Sequence, residues 1–469
     1  MKRRPTTKEN AIRAFRRGDR WVKLSAVAWG AGCIARGQTA KGILLCLEEA
    51  VFLLGIVLTW PYLMKLPTLG TVQAERIWNP VTRRNVWNDY DNSFLILLFG
   101  VLGLLLIAGF VTQCLRMVTH ARRAELTAQT GRSLPTLRED AARYLGVDFH
   151  RTLLFAPVAG VTLVMVIPLI VMILIAFTNY DRNHLVPTNL FTWVGLDNFR
   201  LLTDLSASSA FGYAFPRVLA WTLIWAVTAT LSCYIGGILL AMLINHRRTM
   251  AKPFWRTCFM VAMAVPQFVS LLLVRNLFAD VGIVNTLCKQ WGITDRLYAM
   301  GCIPTANVIP FLTHPAWARP MILLINFWVG VPYQMLIATG ILLNIPHELS
   351  EAARIDGAGS YQVFRHITMP YLLHITGPSL VSGMVNNINN FNVIWLLSRD
   401  VYVTTDQLMA QAGATEVDLL VTWLYRLTQD QSNYKMASVI GILVFVVCSA
   451  LTLIAFGHLT GHGREEAFH

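Results

Sequence analysis

Charge is what this chain has least of. Asp, Glu, Lys and Arg make up 14% of its 469 residues, against 55% apolar ones, and the mean hydropathy is +0.51. That scarcity excludes an ordinary soluble multi-domain protein and places the chain in the membrane class. Metal-binding patterns are missing too. The eleven His show no ligand spacing and the eight Cys contain no CxxC pair, so no metal is expected. Cys46, Cys114, Cys233, Cys258 and Cys448 lie in or beside apolar stretches and read as small buried residues. Cys288 and Cys302 share one connection, and their pairing stays open because connectivity does not follow from sequence. No cleavable secretory signal is visible. The run from Trp21 to Ile34 is interrupted by Lys23, closed by Arg36 and too short to span, which suits an interfacial position. No internal repeat or low-complexity tract stands out. Residues 32–39 echo a phosphate loop, but Gln38 stands where Lys is required, which argues against an ATP site. No convergent set of acid, base or nucleophile is present, so an enzyme is not expected, and neither is a cofactor.

What is present is long apolar runs. Crossing about 30 Å of hydrocarbon takes about 20 mainly apolar residues. Eight stretches qualify: 43–63, 94–115, 153–177, 218–244, 257–279, 320–343, 377–397 and 436–457. Only helices close their own backbone hydrogen bonds in lipid, so the predicted fold is an all-α polytopic membrane protein with about eight transmembrane helices. Glu48 and Glu49 fall one to two turns inside the first stretch, within reach of the inner interface.

The net charge of +13 decides orientation. With the N-terminus inside, the inner connections hold about twice the Lys and Arg of the outer ones. Both termini are therefore expected in the cytoplasm, and the basic excess reads as topology, with no nucleic acid implied. The chain divides into residues 1–150, a basic arm with two spans and a charged cytoplasmic linker; residues 151–457, a six-span core; and a cytoplasmic tail, 458–469.

The inner connection 344–376 is only modestly polar and reads as helix–turn–helix. Pro346 suits a first helical turn, and Glu348 and Glu351 complement its positive end. Gly357 and Gly359 supply the turn, Ser360 caps a second short helix through His366, and Pro370 ends it. Leu349, Ala353 and Ile355 have no lipid to face there, so a partner surface is expected.

Two spans carry amides. Asn386, Asn387, Asn389, Asn390 and Asn392 crowd the seventh, and Gly383, Asn386, Asn387 and Asn390 follow one helical face. Amides are expensive in hydrocarbon unless they face protein or water. Asn326, Gly330 and Tyr333 share a face of the sixth span, where Pro332 frees a carbonyl, and Gln267 stands beside Pro266 in the fifth. Neutral amides with an aromatic ring suit an uncharged polyhydroxyl ligand; interhelical packing is the competing account. A secondary transporter driven by an ion gradient is the alternative. It calls for paired intramembrane charges and pseudo-repeats, and the last six spans show neither clearly.

Glu351-Ala352-Ala353, three residues, Gly357, nine residues and then Ile367-Thr368-Met369-Pro370 resembles the EAA loop of binding-protein-dependent ABC importer permeases. The family pattern has Leu where Met369 stands. Asn326 to Tyr333, Asn390-Phe391, Phe177 to Tyr180 and Gly195 to Phe199 are similar to the eight-span permease subunits for maltose and maltodextrin. The likeness covers roughly residues 150–457 well and the first 150 loosely. It implies the type I importer permease architecture in a bacterial cell membrane. It also implies a second permease subunit, two ATPase subunits, an extracellular or periplasmic sugar-binding protein and a sugar substrate. The loop would be the coupling helix, with Glu351 and Gly357 central. Asn326, Gly330, Tyr333, Gly383, Asn387 and Asn390 would lie near the sugar, and Asn386 replaces an aromatic. The connection 178–217 is short where some members carry a folded insertion.

Overall fold

A computed structural model describes residues 10–80, 83–131, 133–204 and 209–461. It is helical apart from a two-stranded hairpin and one isolated bridge among those residues. Six helices are long and apolar enough to cross a membrane: Thr39–Lys65, Ser93–Gln129, Phe149–Ile175, Ala210–Asn245, Pro315–Asn344 and Tyr434–Ala455. The chain is a multi-pass membrane protein. It forms two compact units, Met1–Gly195 and Leu196–His469. Residues 462–469 of the expected tail lie outside the described residues.

In the first unit, Thr39–Lys65 packs on Ser93–Gln129, which Asn92 caps by accepting from the amides of Phe94 and Leu95. Small residues let the helices approach: a Cβ on Gly103 would stand 3.1 Å from Thr59 Oγ1, and one on Gly100 2.8 Å from Leu66. Trp29 is buried between Phe52 and Phe110, at ring distances of 5.6 and 5.2 Å. The two acids have partners within the unit. Glu49 is buried and accepts from the Trp29 amide at 2.9 Å, and Glu48 accepts from Gln113 Nε2 at 2.9 Å.

In the second unit, Ala210–Asn245 lies along Pro315–Asn344. A Cβ on Gly237 would stand 2.4 Å from Gln334 Cβ, so the backbones nearly touch there. Trp225, Leu271, Ile322, Ile325, Val393 and Leu397 form one buried cluster, and Tyr234, Ile238, Met335 and Leu372 another.

The fifth and seventh expected spans are broken. Lys252–Ala264 stops at Val265, whose extended backbone (φ −75°, ψ 126°) is what a following proline imposes, and Gln267–Leu277 begins after Pro266. Met369–Ile388 stops at Asn389, and Phe391–Ser398 starts with Asn390 as its cap (Asn390 Oδ1 accepts from the Val393 amide, 3.3 Å). No proline causes this second break; Asn side chains that bond nearby backbone favour it. Pro332, by contrast, is buried inside an unbroken helix.

Two helices contain a wide turn with bonds from residue i+5 to i: Thr162–Val166 and Phe364–Thr368. Each ends two residues before a proline, Pro168 and Pro370. Proline lacks an N–H and its ring crowds the carbonyl one turn back; the wide turn makes room.

The connection 398–435 is folded around Asp418, which is 1% exposed. Asp418 accepts from Thr415 N and Oγ1 (2.8 Å each) and from Thr422 Oγ1 (2.9 Å), and pairs with Arg426 Nε at 3.3 Å. Arg319 donates twice to the Glu416 carbonyl, at 2.9 and 2.6 Å, while Trp221 Nε1 donates to the Val417 carbonyl at 3.2 Å. The Tyr402 hydroxyl donates to Glu416 Oε2 at 3.0 Å, and burial first, then Glu416, raises its pKa above the ordinary phenol value.

Candidate functional site: an exposed helix and an amide break

The connection 344–376 contains the helix His347–Ile355, preceded by Pro346. None of its residues is buried; Leu349 is 47% exposed and Ile355 86%. Glu351 and Ala352 are exposed and Ala353 half-buried. Gly357 ends it in the left-handed region (φ +87°), where the Ala358 amide bonds the Ala353 carbonyl at 2.9 Å and closes the last turn. Gly359 is not left-handed: it is extended (φ −71°, ψ 164°) and caps the next helix, its amide donating to Gln362 Oε1 at 2.8 Å. Ser360 is therefore the first helical residue rather than the cap. Pro370 does not end that helix. The chain runs on from Ser360 through the wide turn, which holds Ile367, into Met369–Ile388. The helix after the glycine turn is thus the extension of the span that carries the amides.

At the far end of that span, the amides sort themselves. Asn387 Nδ2 donates to Thr230 Oγ1 at 2.9 Å, and Asn390 Nδ2 donates to Asn387 Oδ1 at 3.2 Å. Trp225 Nε1 donates to the Asn387 carbonyl (3.1 Å), which also accepts from the Asn390 amide at 3.2 Å in the turn at the break. Gly383 faces the same Thr230: a Cβ there would stand 3.5 Å from its methyl. Asn386 is exposed, and Asn389 turns to Cys448 Sγ at 3.5 Å. Asn390 meets Asn387 through the turn at the break, since the helix does not extend to it.

The sixth-span residues are elsewhere in character. Asn326 is 7% exposed and donates to Cys233 Sγ at 3.6 Å. Gly330 is a packing glycine: a Cβ would stand 2.6 Å from Cys233 Sγ. Tyr333 is 56% exposed and Gln267 is exposed at the start of its half-helix. Thr230, Trp225 and Cys233 were not among the sequence candidates. A hydroxyl, an indole and a thiol on one long apolar helix were the available signal.

Above the break stands an aromatic group. Phe391, Trp395 and Tyr425 have ring distances of 4.8 to 5.3 Å, with the Arg399 and Arg426 guanidinium groups over Trp395 at 4.7 and 5.4 Å. Cys288 and Cys302 are free thiols. No cluster of three metal-ligating side chains occurs among the described residues.

Several helices long and apolar enough to cross a membrane, a wholly exposed connecting helix and neutral polar groups at a helix break are what a membrane transport component requires. Residues 233–461 match the family model described as binding-protein-dependent transport system inner membrane component. The chain is 31% identical over 452 residues to the maltodextrin transport system permease protein MalC of Streptococcus pneumoniae serotype 4 (strain ATCC BAA-334 / TIGR4), covering 94% of this chain and 96% of that one. It is 32% identical over 456 residues to the maltodextrin transport system permease protein MdxF of Bacillus subtilis (strain 168), with the same coverage. A crystal structure of a bacterial ABC transporter involved in the import of the acidic polysaccharide alginate shares the fold, with a TM-score of 0.52 at 22% identity over 70% of this chain and 99% of that one. The chain belongs to the family of binding-protein-dependent transport system inner membrane components, the permeases of ABC importers.

Proposed function

We propose that this chain is one of two permease subunits of an ATP-driven importer of a neutral oligosaccharide of the maltodextrin kind. A second permease subunit completes the pathway, two ATPase subunits supply the energy, and an external sugar-binding protein delivers the substrate. The chain has no ATPase site of its own, both termini are cytoplasmic, and residues 151–457 act as the transport core.

The observation that carries this reading is the bare helix His347–Ile355: a connection with apolar side chains and no buried residue is complete only against a partner. Glu351, Ala352, Ala353 and Gly357 form its docking face and hinge, and Ile367 and Pro370 join it to the span carrying the amides. A push on this helix travels along one continuous helix to Asn387. Asn387 and Asn390, with Gly383, Asn386, Asn326, Gly330, Tyr333 and Gln267, line the sugar path. The substrate class draws support from the names of the two full-length relatives and from the lack of a charged side chain in the amide cluster.

Transport assays on the reconstituted importer test it. Gly357→Pro and Glu351→Lys leave the subunit expressed and ATP hydrolysis running while uptake falls about tenfold or more, a coupling loss on the order of 1.4 kcal/mol. Normal uptake in both variants would sink the coupling role. Asn390→Leu lowers uptake or alters preference across a panel of saccharides; unchanged kinetics removes it from the path.

A further inference from the structure

The hairpin Arg76–Asn79 and Arg84–Trp87, between the first two spans, plays no part in the transport reading. Its register pairs Arg76 with Trp87 and Trp78 with Asn85 on one face, and Ile77 with Val86 and Asn79 with Arg84 on the other. Neither face is buried: all eight strand residues are exposed or half-exposed. Trp78 is 62% exposed, Ile77 50% and Trp87 48%. The Arg76 guanidinium lies over the Trp87 ring at 5.1 Å, and Tyr90 meets that ring edge-on at 6.3 Å. A lone two-stranded hairpin is marginal in water, so this one needs a surface.

Its root fixes where that surface is. Asp91 accepts from the amides of Thr71 (2.9 Å) and Val72 (3.2 Å) and pairs at 2.6 Å with Lys65, the last residue of the first spanning helix. Two residues after Asp91 the second spanning helix begins at Ser93. Trp193 Nε1 also donates to the Leu66 carbonyl at 3.0 Å. The hairpin therefore starts from the level where two membrane helices end, on a short paired stem in which the Asp91 amide bonds the Val72 carbonyl and the Asn88 amide the Glu75 carbonyl, 2.9 Å each.

We propose that this hairpin is an interfacial anchor embedded in the phospholipid headgroups at the ends of the first two spans, with Trp78 and Trp87 as its anchoring rings. Tryptophan is the residue of that zone, and the Arg76 and Arg84 guanidinium groups match headgroup phosphates. The two open faces choose lipid over a protein partner. A docked protein covers one face of a hairpin, whereas a headgroup layer surrounds both and satisfies Ile77 and Val86 together with the tryptophans.

The test places the photo-crosslinking residue p-benzoylphenylalanine at Trp78 in the full chain, assembled with its partners in native membranes. Irradiation yields adducts with phospholipid mass. Adducts with the external binding protein or any other protein overturn the proposal, and so does the absence of any adduct in an active transporter. In vesicles of phosphatidylethanolamine and phosphatidylglycerol with brominated chains, W78S/W87S loses the part of tryptophan quenching due to two of the chain's fourteen tryptophans. Unchanged quenching in a folded variant overturns it as well.

Discussion

Two connections in the second unit treat their side chains in opposite ways. Residues 398–435 bury Asp418, Trp423 and Val417 and supply nearly every partner those groups need. The helix His347–Ile355 buries nothing and leaves Leu349 and Ile355 uncovered. A connection that satisfies itself is scaffold; it holds Arg319, Trp221 and Trp395 in place beside the spans. A connection left apolar and open is what the proposed docking requires. Burial and hydrogen bonding separate the two connections.

The sharpest way to break that contrast is to cut each connection at its centre. Asp418→Ala strands the Thr415 amide and the Arg426 guanidinium in a buried site, and breaking a buried ion pair costs about 3–5 kcal/mol. The purified subunit melts well below the parent in a thermal-shift assay. Leu349→Ala, in contrast, changes stability by less than about 0.5 kcal/mol, as exposed substitutions do, yet it weakens ATP-driven uptake. Equal effects of the two variants on melting would erase the distinction between scaffold and interface.

A smaller effect separates packing from path in the sixth span. Gly330→Ala drives a methyl into Cys233 Sγ, and overpacking costs about 1–3 kcal/mol. Adding Cys233→Ala removes the obstructing sulfur, leaving the two Cβ positions 3.4 Å apart. If Gly330 matters only by packing, the double variant recovers both melting temperature and uptake. Because Cys233→Ala also takes the acceptor from Asn326 Nδ2, that single variant is assayed beside it; recovered stability with uptake lost in the double variant but not in Cys233→Ala alone assigns Gly330 to the sugar path.

The all-α membrane class was legible because hydropathy and run length suffice for it. Six long helices followed, and so did the turn at Gly357. The breaks at Val265 and Asn389 were not legible, since an apolar run looks the same whether its helix is whole or interrupted. Pro266 was a visible signal, but Pro332 carries the same one and sits in an unbroken helix. Pro370 misled for a related reason: a wide turn absorbs a proline, and nothing local announces that turn. Within the amide cluster, Asn387 and Asn390 were picked from spacing. The partners of Asn387, Thr230 and Trp225, lie more than 150 residues away, and pairings that distant do not show in periodicity. The donors that Glu48 and Glu49 bond, Gln113 and the Trp29 amide, do not show in periodicity either.

The hairpin root offers the mildest test, since it is a third connection in which a satisfied base carries an unsatisfied tip. Burial by itself raises the Asp91 pKa, but the Lys65 ammonium and the Thr71 and Val72 amides outweigh it and hold the carboxyl below its ordinary value. A depressed folded-state value means that the charged form stabilises the root. That contribution is fully present above the unfolded pKa of about 3.9 and is lost as pH falls through the lower folded value. Hydrogen exchange at Thr71 and Val72, corrected for intrinsic rates, is therefore protected at neutral pH and released only under strong acid. Asp91→Asn keeps an acceptor oxygen but loses the charge, so it weakens the root by about 1 kcal/mol and removes the acid dependence. Protection that stays level through that range in the parent chain would show that Asp91 does not pin the hairpin, and the contrast between closed and open connections would then stop at the second unit.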